Sequence, residues 1–287
     1  MAPRVTDGGR VKAQLAKTRA ALATAGIPLA WLDAEILVAH VLQSSRERLH
    51  SHPERELTVA QRTRLRRLTS RRAARVPVPY LVGEREFYGY MFRVTPAVLI
   101  PRPSSELLVE LAIEWLKAHP QARRAIDLGT GSGAVAISVA KAVPRVRIEA
   151  RDVSARALRV ADANIAHYRL RQRITTVKGD LLRHAAPADL ILANLPYIPE
   201  ALRQIRPKEL EYEPALALDG GKDGLSLIRT ALEQAPAAVK PGGLVLFECD
   251  PAQTRRLVRL AQGHWSRAQV SVHKDLAGQD RVVRIQT

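Results

Sequence analysis

"AIDLGTGSGAVA", residues 125–136, is an apolar run that breaks at Asp127, passes through Gly129, Gly131 and Gly133, and resumes as an alanine-rich apolar segment. A strand that enters a glycine turn and opens at once into a helix is the entry to a ligand-binding α/β unit. Glycine there permits positive φ and lets the backbone approach a ligand closely. The helix N-terminus adds N–H donors. Gly129, Gly131 and Ala134 satisfy a G-x-G-x-x-G/A pattern, so a dinucleotide pyrophosphate is one candidate ligand. Asp127 argues against it, because a carboxylate repels pyrophosphate and attracts the ammonium of an amino acid.

Outward from this turn, the chain beyond Pro120 alternates strand-like and helix-like segments. Candidate strands are RAIDLG (124–129), VRIEARD (146–152), ITTVKGD (174–180), LILANL (190–195), GLVLFEC (243–249), QVSVHKD (269–275) and RVVRIQT (281–287). GAVAISVAKAV (133–143) and SARALRVADANIA (154–166) are helical segments between them. This alternation implies a doubly wound, seven-stranded, mostly parallel sheet with helices on both faces. Only LAGQ (276–279) separates the last two strands, too little for a crossover helix, so they pair as an antiparallel hairpin.

In such a sheet, ligands bind beyond the carboxyl ends of the strands near the switch point. Asp152 ends the second strand, 21 positions past Gly131, close to the ~20-residue offset of a ribose-binding acid. A helix-capping or surface acid is the bland alternative. Asp180, after the third strand, falls on the side of the crevice where a base would lie, with a plain loop carboxylate as its alternative. The fourth strand, expected beside the first, runs into "LILANLPYIPE", residues 190–200. An ordinary turn favours Gly, Asp or Ser; here Asn194 offers an amide oxygen, and the Leu195 carbonyl follows it. Pro196 biases Leu195 to extended backbone and so aims that carbonyl. Tyr197 adds a flat face. Together they suit a planar –NH₂ group with both hydrogens engaged.

The N-terminal part is different in kind. Residues 10–75 read as helices. Val11, Leu15 and Leu22 share one face with Thr18 as a polar break, and Gly26 is a stop. Leu32, Ile36 and Ala39 share a face of the second helix, and Thr58 caps a third. "RTRLRRLTSRRAAR", 62–75, carries seven arginines and no acid. Leu65 and Leu68 would face inward, leaving the arginines as a solvated face or a phosphate-tracking surface for RNA or a ribosomal particle. The net charge of +17 points the same way. Aromatic and β-branched residues around Gly89 predict a hairpin or extended linker over about 84–101, and "SSELLVELAIEWLKAH" predicts a helix capped by Ser104 or Ser105. The expected organisation is a helical domain at 1–80, a hairpin linker at 81–103 and an α/β domain at 104–287. Apolar runs fall short of the ~20 residues of a membrane span, there is no signal-peptide core, and Cys249 is the single cysteine. A cytoplasmic protein with no metal site is expected.

These motifs resemble a class I S-adenosylmethionine-dependent methyltransferase, with a Rossmann-like fold. "DLGTGSG" is similar to its cofactor motif, and "NLPY" to the Asn-Pro-Pro-Tyr signature of enzymes that methylate planar nitrogens. With "GEREFYG" (83–89), "VLIPRP" (98–103), "EPALALDGGKDGL" (213–225) and "KPGGLVLFE" (240–248), nearly the whole chain resembles the HemK family of protein N5-glutamine methyltransferases. Its release-factor branch is the nearest. The resemblance implies S-adenosyl-L-methionine as cofactor, held by Asp127, Gly129, Thr130, Gly131, Ser132 and Gly133, with Asp152 on the ribose, Asp180 and Leu181 at the adenine, and Asn194 beside them. It implies that Asn194, Leu195, Pro196 and Tyr197 grip a glutamine amide, with Phe87, Arg102 and Glu106 also in the substrate pocket. The implied target is the Gly-Gly-Gln motif of peptide chain release factors, with ribosomal protein L3 as the nearer alternative.

Three departures from the family pattern stand out: Leu195 for a second proline, Ser104 and Ser105 for Glu and Thr, and Asp250 for a glycine. "NLPY" with leucine also resembles ribosomal RNA adenine dimethylases. Against those stand Asp127 opening the glycine motif, Ile198 after the tyrosine, and the preceding helical domain. A non-catalytic cofactor-binding, ribosome-associated module is the remaining alternative.

Overall fold

The computed structural model describes residues 9–202 and 207–287; the first eight residues of the expected helical domain lie outside these. The backbone groups into two compact units, one through Gly83 and one from Glu84. Among the described residues no helix is long and apolar enough to cross a membrane.

The first unit holds α1 (Val11–Thr24), α2 (Ala30–Leu42), α3 (Arg46–Ser51), α4 (Val59–Ala73) and α5 (Val78–Val82). Thr58 caps α4 as expected and closes a reciprocal capping box with Gln61. Thr18 is buried on the same face as Val11 and Leu22, so it is part of the packed surface and not a polar break. In α2 the core face is Ala34, Leu37, Val38 and Val41, whereas Leu32 and Ile36 are half-buried. The displacement has a cause: Asp33 must face inward too, because it meets Arg72 of α4 at 2.6 Å, and both side chains are nearly buried.

That pair corrects the picture of an arginine-covered helix. Leu65 and Leu68 do face inward, but Arg72 is buried with them. Arg62 donates to the Leu57 carbonyl (2.6 Å), and Arg75 donates to those of Ala25 (3.1 Å) and Gly26 (3.0 Å). Only Arg64, Arg66, Arg67 and Arg71 of the cluster are exposed. Breaking a buried ion pair from one side leaves a buried charge uncompensated. Asp33→Ala should therefore lower stability by about 3–5 kcal/mol, against about 1 kcal/mol for Thr58→Ala. Urea denaturation measures both.

The second unit begins with the predicted hairpin, β1 (Glu84–Phe87) and β2 (Tyr90–Arg93). It is an integral part of this unit, since the Asn164 side chain both donates to and accepts from the Arg93 backbone. Then follow α6 (Glu106–Ala118), β3 (Arg124–Leu128), α7 (Ala134–Ala142), β4 (Arg147–Asp152), α8 (Ala155–His167), β5 (Ile174–Lys178), β6 (Ala188–Ala193), α9 (Ser226–Ala238), β7 (Val239–Glu248), α10 (Thr254–His264), β8 (Gln269–Lys274) and β9 (Asp280–Gln286). The sheet order is β5-β4-β3-β6-β7-β9-β8. It is parallel through β7 and antiparallel at β9 and β8.

The run "ADLILA" of β6 is apolar almost throughout because both faces of the sheet are covered. Side chains alternate across a strand. Leu190 and Leu192 therefore enter the core with α6 and α7, while Ile191 and Ala193 enter the one with α9 and α10. Each fully buried leucine or isoleucine contributes about 1.5–3 kcal/mol. This double burial holds β3 beside β6, with Leu128 paired to Ala193. The glycine turn after β3 and Asn194 after β6 thus emerge side by side.

Candidate functional site

A cavity of about 260 Å³ opens at the carboxyl ends of β3, β4 and β6. Its floor is the glycine turn. Gly129 has φ +67°, and a Cβ there would stand 3.3 Å from Leu195 Cδ2 and 3.4 Å from the Asn194 carbonyl. Only glycine allows the two strand ends to approach this closely. The turn is also tied to β4, with Thr130 N donating to the Arg151 carbonyl at 2.9 Å and Gly131 N to Asp152 Oδ2 at 3.0 Å.

Asp152 lies in the cavity wall and accepts a second backbone bond, from Ser154 N at 2.8 Å. Ser154, not Asp152, caps α8. Burial raises the Asp152 carboxyl above its ordinary range. Next to it, buried Arg151 pairs with Glu149 and donates to the carbonyls of Leu181 (2.7 Å) and Arg183 (2.8 Å). Those bonds hold the loop that presents Asp180 and Leu181 to the cavity. A buried cation at the end of a parallel strand was a signal in "IEARDVS" that the sequence reading passed over.

Asn194, Leu195 and Pro196 form the opposite wall. The Asn194 Nδ2 donates to Ser105 Oγ at 2.8 Å, so Oδ1 is the amide atom left for the cavity. Among the described residues neither Oδ1 nor the Leu195 carbonyl accepts a hydrogen bond. Leu195, the departure from proline, is 4% exposed and buried in the α9–α10 core; burial there replaces the ring as the restraint. Beyond it the loop is clasped on both sides. Ile198 exchanges backbone bonds with Leu218 and Gly220 (both 3.0 Å), and Gln253 Nε2 donates to the Tyr197 carbonyl at 2.8 Å. Gln253 is placed by Asp250, whose carboxylate and backbone close a capping box over Pro251–Gln253. The Asp250 departure thus builds a support for the loop.

Several expected site residues stand elsewhere. Asp127 is 2% exposed behind the turn and accepts from Thr130 Oγ1 at 2.6 Å, bracing the turn from below. Ser132 and Gly133 lead into α7, Gly133 as its N-cap, outside the cavity wall. Phe87 is 1% exposed and packs edge-on against Phe92 in the core, because the hairpin turns its alternate side chains onto α8. Glu106 is held by the hairpin turn through Tyr88 N (2.9 Å). Arg102 pairs with buried Glu213, which also takes Ile100 N at 3.0 Å. That stitch joins segments 97–99 and 214–217, both in the cavity wall. The Tyr197 ring lies outside the wall, with its hydroxyl toward Glu248 at 3.4 Å. Neither Ser104 nor Ser105 caps α6 by its side chain.

Burial pushes the Asp127 carboxyl up to about 7, against the Thr130 hydroxyl and a backbone N–H that favour its charge. A folded-state value above the unfolded one means the native state binds the proton more tightly. Its contribution to stability is therefore present at low pH and lost as pH rises toward 7. Asp127→Asn should gain stability relative to the parent as pH rises from about 4 to about 7. A difference in urea midpoints that stays constant across that range contradicts this.

A family model described as the PrmC N-terminal domain matches residues 14–83, and one described as a methyltransferase small domain matches residues 103–205. The chain is 40% identical over 262 residues to a release factor glutamine methyltransferase of Moorella thermoacetica, covering 91% of this chain and 92% of that one. It is 39% identical over 223 residues to a ribosomal protein uL3 glutamine methyltransferase of Bordetella pertussis, covering 76% and 75%. Among solved structures, the hMettl16 catalytic domain in complex with MAT2A 3'UTR hairpin 6 aligns with a TM-score of 0.54 at 14% identity, over 76% of this chain and 81% of that one. That is a likeness of fold.

Proposed function

Because the chain belongs to the release factor glutamine methyltransferase family, we propose that it transfers a methyl group from S-adenosylmethionine to the side-chain amide nitrogen of a glutamine, in the Gly-Gly-Gln motif of a peptide chain release factor. The observation that carries this is the pair of open acceptors, Asn194 Oδ1 and the Leu195 carbonyl, beside the glycine turn. One side-chain acceptor and one backbone acceptor suit the two hydrogens of a primary amide.

The residues present fit the cofactor. The close-packed turn at Gly129 and Gly131 takes the methionine end, Asp152 the ribose, and Leu181 with Asp180 the adenine. When bound, S-adenosylmethionine supplies a methyl carbon on a positively charged sulfur, an electrophile. The chain's own task is the nucleophile. An amide nitrogen is weakly nucleophilic because its lone pair is delocalised into the carbonyl. Asn194 and Leu195 hold the NH₂ in one plane, and the resulting near-attack geometry and fixed dipoles carry the rate. The helical unit is assigned to contact with the protein substrate.

Methylation of ribosomal protein uL3 is the second reading, favoured by the Bordetella relative. The release factor takes precedence because similarity to that relative spans less of the chain. Initial rates with radiolabelled S-adenosylmethionine on a release factor and on uL3, side by side, decide between them. Faster labelling of the release factor is expected, and faster labelling of uL3 reverses the order.

A further inference from the structure

Two polar side chains stand behind the Asn194 wall, and nothing in the cavity itself explains them. Ser105 lies 89 residues earlier in the chain, in the turn before α6, and is 2% exposed. Glu248 ends β7, next to β6, and is fully buried. Its Oε2 has no hydrogen-bond partner among the described residues, and its Oε1 receives only the Tyr197 hydroxyl at 3.4 Å. Burial pushes this carboxyl up to about 7, opposed by the Ser105 hydroxyl and by Arg281, Tyr197 and Arg102. An incompletely paired buried carboxylate is costly, so it needs a compensating role.

The geometry of the donors gives Ser105 a role. A serine hydroxyl has one hydrogen to donate. Ser105 Oγ already accepts from Asn194 Nδ2 at 2.8 Å, so its hydrogen must point elsewhere. Turning the Asn194 amide over would present Oδ1 to Ser105 and draw the hydroxyl hydrogen onto it. It would also aim an NH₂ into the cavity, donor against donor for an incoming amide.

We propose that Ser105 is a positioning residue that locks the Asn194 amide with Nδ2 inward and Oδ1 toward the cavity. Ser105 holds the Asn194 end of the Asn-Leu-Pro-Tyr segment, and Glu248 meets its Tyr197 end at 3.4 Å. The consequence for methyl transfer rests on the glutamine reading above; the orientation itself does not.

Two readouts test this on the full chain. Side-chain amide hydrogen exchange of Asn194, followed by NMR and assigned by its absence in Asn194→Ala, reports the lock without any substrate. Ser105→Ala should speed this exchange about tenfold and lower kcat about tenfold, the scale of one lost hydrogen bond to a polar group, with the cofactor KM unchanged. Ser105→Thr, which keeps the hydroxyl, should restore both. In an Asn194→Ala background, Ser105→Ala should have no further effect on kcat, since the serine acts through the asparagine. Unchanged exchange in Ser105→Ala, or no recovery in Ser105→Thr, overturns the proposal. Absence of transfer by the parent protein overturns the glutamine reading instead, and leaves the exchange result to decide the orientation.

Discussion

Asn194→Ala is expected to lower kcat for glutamine methylation by about 10²–10³, the range for losing one preorganised polar contact at a reacting centre. Cofactor affinity should stay close to the parent's. The separation follows from where the side chain sits. Asn194 is at the carboxyl end of β6, its Nδ2 held by Ser105, and its one open atom, Oδ1, is an acceptor. The turn proposed to receive the cofactor is braced by other groups, Asp152 and Thr130. Removing the amide therefore takes away the hold on the substrate NH₂ and leaves the floor in place. Turnover with a release factor and calorimetry with S-adenosylmethionine measure the two quantities. Parallel loss of both would mean that Asn194 shapes the turn and does not grip the amide.

Asp152→Ala should behave in the opposite way. It removes the acceptor for Gly131 N and Ser154 N as well as the proposed ribose contact. Hydrogen bonds to a charged group contribute about 1.5–3 kcal/mol, so the dissociation constant for S-adenosylmethionine should rise about tenfold or more. At saturating cofactor, kcat should recover most of its value, because both Asp152 carboxylate oxygens are engaged by backbone N–H groups, of Gly131 and of Ser154. Asp152→Asn keeps an acceptor for Gly131 N and should fall between the parent and Asp152→Ala. An unchanged dissociation constant in Asp152→Ala removes this residue from the cofactor site.

The two variants also mark how far the sequence could be read. The strand–helix alternation, the hairpin at β8 and β9, and the meeting of β3 with β6 were legible because each rests on local periodicity or on a rule of chain connection. Asp152 and Asn194 were legible because both follow a strand at the edge where such sheets bind ligands. What escaped was long-range. Thr18 reads as a polar break until the packed surface of α1 is seen, and Asp33 looks like a surface acid until Arg72 arrives from α4. Ser105 reads as a cap, because a serine before a helix usually is one, and its partner Asn194 is far along the chain. Phe87 and Glu106 sit in motif-like segments, and it took the fold to show that one fills the core and the other holds the hairpin turn. The short α3 and α5 lack the length for a periodic signal and are held by tertiary contacts.

The central claim is that a flat NH₂ of glutamine is the group methylated. Peptide mass spectrometry of a release factor after incubation with the protein and S-adenosylmethionine tests it most directly. The predicted result is the mass of one methyl in place of hydrogen on the glutamine of the Gly-Gly-Gln motif, dependent on cofactor and lost with Asn194→Ala. An unmodified glutamine, with the methyl found on another residue or on nucleic acid, would contradict it.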